Sequence, residues 1–214
     1  AGSEAVNEMW TVKGNVTRGQ TGRCYWSETD DVICVAHWLT KDECGDIEQH
    51  TQTAYGAILG VLDEKGFAHP FRFWNYLPAI NAGDGDHEVY KKFCTGRLKA
   101  FEEAGISPQA FPAASALGHH NDGAVFYVFT SRVKPRHYNN HHQVNAYEYP
   151  RQYGISSPSF ARATALTLNG THFLFISGTA SITGHQTLGE GDIEKQLNVT
   201  MGNIRHLLDT ANPE

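Results

Sequence analysis

No stretch of this chain approaches the roughly 18 consecutive apolar residues needed to cross a bilayer as a helix. The opening residues carry no signal-peptide pattern. Basic residues are outnumbered: 17 Lys and Arg stand against 23 Asp and Glu, a formal charge of −6. No basic stripe is available to neutralise phosphates, which argues against nucleic acid as a partner. The cysteines (Cys24, Cys34, Cys44 and Cys94) form no CxxC pair, so free thiols in a cytoplasmic protein are expected. The sequons at Asn15, Asn169 and Asn198 then have no role, because glycosylation requires secretion. HExxH and Cys/His ligand spacings are missing, and the adjacent pairs His119-His120 and His141-His142 do not share a face of a regular element. No metal site is expected. Gly184–Gly191 lacks the GK[ST] ending of a phosphate-binding loop, and no GxSxG marks a serine hydrolase. Asp84–Glu88 lacks calcium-loop spacing and is expected to cap the helix after it.

The informative stretch runs from Thr171 to Asp209. An apolar, β-branched run feeds a Gly/Ser/Thr-rich loop, and the loop feeds an amphipathic helix. A strand, a polar turn rich in backbone donors and a helix N-terminus form a common holder of small anions. The helix has a counterpart. GDIEQHTQTAYGAILGVLD (45–63) and GDIEKQLNVTMGNIRHLLD (191–209) align at an offset of 146 and share eight of nineteen residues. Ile47, Tyr55, Ile58 and Leu62 correspond to Ile193, Met201, Ile204 and Leu208, one stripe on one helix face in each copy. An internal duplication follows.

The chain is expected to divide into a first α+β unit over 1–131, a linker over 132–160 and a second unit over 161–214. In the first unit, residues 1–20 read as irregular or edge structure. Strands over 23–27 and 32–38 precede a helix over 46–65 closed by Gly66. A strand over 71–80, a helix over 88–104 and strands over 114–117 and 124–131 complete a sheet backed by helices. In the second unit Asn169-Gly170 between two apolar runs signals a tight hairpin. That unit stops after its first helix. A half-built sheet would leave a strand edge open and a helix face bare, which native proteins avoid. Either the sequence is part of a longer chain or another chain completes it.

Two clusters carry candidate chemistry. Loop Ser177–His185 offers hydroxyls at Ser177, Thr179, Ser181 and Thr183, and Gly178 permits close backbone approach to a ligand. Tyr149, Arg151, Tyr153 and Arg162 combine carboxylate-binding guanidinium groups with amphipathic rings. Arg162 stands out because Ala161 and Ala163 flank it at the start of a buried strand, where a charge needs a partner.

FRFWNYLPAIN (71–81), EVYKKFCTGRLKAFEEAGI (88–106), YEYPRQYGISSPSFARAT (147–164) and LFISGTASITGH (174–185) with GDIEKQ together resemble the chorismatase family. These enzymes release pyruvate from chorismate without a cofactor. They are similar in fold to the trimeric reactive-intermediate deaminases. The resemblance spans Met9 to Leu208. It implies two tandem deaminase-like, chorismate-mutase-like β-α-β units and a homotrimer as one possible assembly. It implies that Tyr149 and Arg162 hold a substrate carboxylate while Gly178, Thr179 and Ala180 line the ring pocket. Glycine at position 178, where hydrolytic relatives carry alanine, favours 3-hydroxybenzoate over a dihydroxycyclohexadiene carboxylate. No residue matches the glutamate that the family uses as general acid, so the catalytic residues stay unassigned. An enamine or imine deaminase and a non-catalytic binder of chorismate-like acids are the alternatives.

Overall fold

The computed structural model describes residues 9–12 and 14–211. The element order is β1 (Thr17–Thr21), β2 (Cys24–Glu28), β3 (Val32–Leu39), α1 (Ile47–Glu64), β4 (His69–Pro78), α2 (Val89–Glu103), β5 (Ala113–His119) and β6 (Ala124–Ser131). Then come β7 (Arg136–Tyr138), β8 (Ala163–Leu168), β9 (Thr171–Ile176), the two-residue strands β10 (Ile182–Thr183) and β11 (Gln186–Thr187), and α3 (Ile193–Ala211). The first six strands form one sheet in the order β1-β2-β3-β6-β4-β5. Only β4 and β5 run parallel, as a crossover through a helix requires. A second sheet has the order β7-β8-β9. The fold is mixed α+β.

Alternation along the strands decides where the core sits. Ile33 and Val35 of β3, Phe73 and Leu77 of β4, and Phe126 and Val128 of β6 point to one face and are buried. Tyr55, Ile58 and Leu62 of α1 and Phe93 and Phe101 of α2 cover that face. The opposite face carries Trp74, Tyr127 and Phe129, packed with Phe71, Phe173 and Phe175 as a smaller cluster that bridges to the second sheet. Asp46 caps α1 by accepting from the Gln49 N–H. Gly66 closes the helix in a left-handed conformation (φ +71°). Asn169 and Gly170 both have positive φ (49° and 77°), and Leu168 pairs with Thr171 across them, the two-residue hairpin expected from Asn-Gly.

The described part of 1–20 contains an edge strand, β1, one of the two readings expected there, paired with β2 over its whole length. Other expectations are corrected. The stretch 132–160 carries β7, which pairs with β8, and two 3-10 turns. Loop Ser177–His185 contributes β10 to a small hairpin with β11. Asp84–Glu88 does not cap α2 with a side chain. The Val89 and Tyr90 N–H groups donate to the carbonyls of Ala82 and Ile80, and Asp86 is taken by Arg151. A doubled-back loop thus supplies what a capping carboxylate would have supplied.

The two matching helices have different fates. In α1 the stripe Ile47, Tyr55, Ile58, Leu62 is buried. In α3 the corresponding Ile193, Met201 and Leu208 are exposed, together with Leu197. The α3 helix is seated instead by the neighbouring stripe Asn203, Leu207 and Ala211. The Asn203 Nδ2 donates to the carbonyls of Ala180 and Ile182 at 3.1 and 2.9 Å.

The α1–α2 crossing rests on one glycine. A Cβ at Gly96 would stand 2.2 Å from the Glu48 carbonyl oxygen, whereas one at Gly60 would meet nothing within 4 Å. Gly96→Ala is expected to destabilise the protein by about 1–3 kcal/mol through overpacking. Gly60→Ala is expected to stabilise it by roughly 0.5–1 kcal/mol through helix propensity. Urea unfolding of the two variants checks both signs.

Candidate functional site

The two sheets meet where small residues follow one another. Ala113, Ala114, Ser115 and Ala116 open β5, and only a sequence this lean lets a second backbone lie alongside. The join is a seam of hydroxyls, with a single parallel bridge between Ala113 and Ala161. The Ala113 N–H donates to Thr164 Oγ1 at 2.8 Å, and the Ala114 N–H donates to Ser177 Oγ at 2.9 Å. Ser177 Oγ in turn donates to the Ala161 carbonyl. The Gly178 N–H reaches the Ala114 carbonyl at 3.2 Å. Arg72 reinforces the seam, donating from Nη1 to the Ile176 carbonyl and from Nη2 to Ser115 Oγ at 3.2 and 2.7 Å.

Beside this seam lies a cavity of about 340 Å³. Ile80 and Asn81 enter it from the loop after β4, and Tyr90 and Arg97 from α2. Ala114, Ser115 and Ala116 form one wall, and Phe160 with Gly178, Thr179 and Ala180 forms another. None of these lining residues is acidic. A larger hollow of about 1090 Å³ lies against the outer face of the main sheet, walled largely by aromatic residues such as Trp38, Tyr76 and Tyr127. The smaller cavity is where buried cationic and hydroxyl groups converge, and we take it as the site.

Gly178, Thr179 and Ala180 line the cavity, Tyr149 and Arg162 do not, and the Arg162 guanidinium lies over the ring of Phe160, which does. Arg162 is buried, 3% exposed. Its Nη2 donates to Tyr149 Oη at 2.8 Å and to the Val144 carbonyl at 3.1 Å, and its guanidinium lies over the rings of Tyr149 and Phe160. Its Nε has no hydrogen-bond partner among the described residues. Arg151 leaves the cluster for a two-pronged ion pair with Asp86, whereas Tyr153 stays against Tyr149, ring centres 5.4 Å apart, and bonds His185. Of the loop hydroxyls, Ser177 and Ser181 are buried and used by backbone, Ser181 donating to the Leu188 carbonyl. Thr179 lines the cavity while donating to the Ser177 carbonyl. His142 stacks on His206, and His119 accepts from the Asn121 N–H.

Sequence reasoning missed Tyr90 and Arg97. Positions 90, 94 and 97 fall on one face of α2, and 93, 97, 100 and 101 lie on its buried stripe. An arginine inside an apolar stripe was the available signal. Burial drives the Tyr90 phenol well above its ordinary range, and the adjacent Cys94 adds to this. Tyr90 therefore stays a protonated donor at neutral pH. Burial likewise pushes the Cys94 thiol up to about 11 and the Tyr55 hydroxyl up to about 12.

The sequence model of a family described as "Chorismatase FkbO/Hyg5-like, N-terminal" matches residues 8–130. A 3-hydroxybenzoate synthase of Streptomyces hygroscopicus is 34% identical over 98% of this chain and 63% of its own length. A chorismatase of Streptomyces rapamycinicus is 33% identical, again over 98% of this chain and 63% of its own length. The chain therefore spans less than two thirds of the curated relatives it matches. A chorismatase crystal structure superposes with a TM-score of 0.84 at 33% identity, covering 89% of this chain and 58% of that one.

The seam has a pH limit. His137 Nδ1 lies 3.0 Å from Thr164 Oγ1, which already accepts from the Ala113 N–H, so the hydroxyl proton is free to go to a neutral ring. Burial, helped by the charge on His69, lowers His137 to about 4 from an ordinary 6.5. Between those values the unfolded chain binds the proton and the folded one does not. This contribution is complete above pH 6.5 and is lost as pH falls toward 4. Unfolding free energy is expected to fall over that window, and His137→Gln to reduce the slope. Denaturant titrations at stepped pH give the comparison.

Proposed function

The chain belongs to the FkbO/Hyg5-like chorismatase family, and on that premise we propose that the protein removes pyruvate from chorismate and leaves 3-hydroxybenzoate. The observation that carries the reading is the cavity. It is apolar and aromatic over much of its wall, carries no carboxylate on its lining and has buried guanidinium charge around it. Such a site accepts an unsaturated six-membered ring bearing negative charge and repels no part of it. The named activities of the two curated relatives and their coverage of this chain support the same substrate.

Arg162 and Tyr149 hold one substrate carboxylate, reached past Phe160. A planar guanidinium already fixed on a phenol by a 2.8 Å bond is pre-organised for that task. Gly178, Thr179 and Ala180 form the floor under the ring. A Cβ at Gly178 would make only an ordinary 3.7 Å contact with Ser115 Oγ, so the glycine is kept for space in the cavity and not for backbone conformation. The conversion to 3-hydroxybenzoate and pyruvate partitions the atoms of chorismate between two products with no added water. The dihydroxycyclohexadiene product requires one water. Product choice is thus a question of whether water reaches the protonated enol ether, whose collapse after adding water frees pyruvate and leaves the ring hydroxyl, and the volume beside Gly178 governs that access. Protonating the enol-ether carbon needs an acid. No residue on the cavity lining is a carboxylic acid, and the catalytic residues are left unassigned.

The hairpin–helix order β2-β3-α1 recurs as β8-β9-α3, with the small β10-β11 hairpin inserted before the helix. With the shared GDIE helix starts, this supports reading the chain as two tandem deaminase-like units, over 1–131 and 161–214, joined by 132–160.

The full-length protein is expected to convert chorismate into equimolar pyruvate and 3-hydroxybenzoate, followed by chromatography. Intact chorismate after prolonged incubation would overturn the reading. Arg162→Ala is expected to lower kcat/KM by roughly 10- to 100-fold, the loss of one charged hydrogen-bonded contact. Gly178→Ala is expected to fold normally and to change the ratio of the two products.

A further inference from the structure

We propose that Ser115 is a specificity-determining residue of this cavity, its hydroxyl aimed by Arg72 to donate a hydrogen bond to an uncharged oxygen on the ring of the ligand. This rests on the reading of the cavity as a site for an oxygenated six-membered ring, and it adds a contact distinct from those that hold carboxylates. Ser115 lies on β5 and lines the cavity. Its Oγ accepts from Arg72 Nη2 at 2.7 Å, and its own proton meets no acceptor among the described residues. A serine hydroxyl has one proton to give and two lone pairs to receive with. A guanidinium only donates, so the proton must point away from Arg72. The bond comes from a charged donor and draws density from the hydroxyl, which strengthens the donation it can make in turn. The residue therefore presents a polarised O–H whose acceptor is left to the ligand.

The surroundings fix this geometry. Arg72 is 7% exposed and is held from several sides: Nη1 donates to the Ile176 carbonyl at 3.2 Å, Nη2 donates to Ser115, and the guanidinium lies 4.4 Å from a Trp74 ring centre. The Ser115 backbone is fixed too. Its carbonyl accepts from Asn75 Nδ2 at 3.0 Å, and the buried Asn75 is itself bonded to the Tyr55 hydroxyl. Opposite stands Gly178. A Cβ at that position would lie 3.7 Å from Ser115 Oγ and within 4 Å of no other described atom beyond its chain neighbours. The hydroxyl thus borders the space that the missing side chain leaves. A ring oxygen entering that space accepts the Ser115 proton, whereas a ring C–H there leaves it unmet, at the cost of a hydrogen bond. A single donor suits a hydroxyl or an ether oxygen. A carboxylate, with two oxygens to satisfy, is better matched by a guanidinium fork, and Arg72 is turned to the seam and absent from the cavity lining. Arg72 is accordingly a positioning residue that acts through Ser115.

The test compares 3-hydroxybenzoate with its isostere 3-methylbenzoate by calorimetry on the full-length protein. Wild-type protein is expected to prefer the hydroxyl compound, and Ser115→Ala to reduce that preference by about 3- to 10-fold, the loss of one hydrogen bond. A folded Ser115→Ala with the wild-type preference overturns the proposal. Arg72→Met is expected to reduce the same preference in the wild-type background and to leave it unchanged in Ser115→Ala, because its effect passes through the hydroxyl. A purely structural Arg72 would lower stability and weaken both ligands alike with the preference kept, a result that overturns the positioning role. Should Ser115→Ala fail to fold, the wild-type protein decides: 3-methylbenzoate binding as tightly as 3-hydroxybenzoate sinks the idea. Chorismate turnover by the same wild-type preparation is scored separately. Protein whose preference depends on Ser115 but which leaves chorismate intact overturns the chorismate reading and retains the Ser115 donor. Turnover with a preference indifferent to Ser115 does the reverse.

Discussion

Positive charge placed in the interior without a matching negative charge is the constraint on which the rest of this structure depends. Removing a guanidinium from water carries an effective penalty of several kcal/mol unless an ion pair and hydrogen bonds offset it. Arg97 and Arg162 are both buried, and among the described residues neither has an acidic partner. The protein reduces the penalty with aromatic faces and neutral acceptors: Phe93 beneath Arg97, and Tyr149, Phe160 and the Val144 carbonyl around Arg162. Acids do exist on the molecule, and several pair at its surface. Asp86 pairs with Arg151, Glu48 with Lys99 and Glu43 with Arg23. Keeping carboxylates off the cavity preserves an unspent attraction for an anionic ligand, and it requires a scaffold stable enough to tolerate the imbalance.

That scaffold is joined in an unusual way. A continuous β-ladder between β5 and the second sheet would have satisfied the same backbone groups. It would also have brought the strands to ladder spacing along their length and closed the space between them. Here the Ala113 and Ala114 N–H groups are met by the hydroxyls of Thr164 and Ser177 instead. A side chain adds reach to the junction, and the backbone beyond Ser177 turns away as Gly178, Thr179 and Ala180. The cavity is thus a consequence of how the sheets are joined. Backbone satisfaction and site formation are one arrangement, and the neutral His137 beside Thr164 ties both to pH.

Much of this was legible in the sequence because it is local. Apolar alternation located β2, β3, β4 and β6, the Asn-Gly pair located the β8–β9 hairpin, and Gly66 located the end of α1. Arg162 was legible as a buried charge because alanines flank it, and Gly178–Ala180 because strand-to-helix loops gather ligands. Arg97 was hidden by helical periodicity. Its neighbours in sequence are Gly96 and Leu98, and only a count along α2 reveals that it shares a stripe with Phe93 and Phe101. That Tyr149 and Arg162 stay off the cavity lining was not legible, since the lining is gathered from segments remote in sequence. Asp84–Glu88 failed as a cap for the same reason: Arg151, 65 residues away, competes for Asp86, and nothing local announces it.

The two related helices show where periodicity stops. Residues at the same spacing, after the same GDIE start, are buried in α1 and exposed in α3. An amphipathic pattern states that a helix has an apolar face. It does not state which face is used. In α1 the apolar stripe meets a wide sheet, with α2 at its side, and burial decides its orientation. In α3 the strongest local demand is polar. Asn203 satisfies the carbonyls of Ala180 and Ile182, which belong to the loop that forms the cavity floor. Each of these carbonyls also accepts a second bond, from the Ile182 N–H and from Gln143 Nε2, so Asn203 joins a network that ties α3 to the loop beside the cavity. The orientation of α3 follows that network and the buried Leu207 and Ala211, not its apolar stripe.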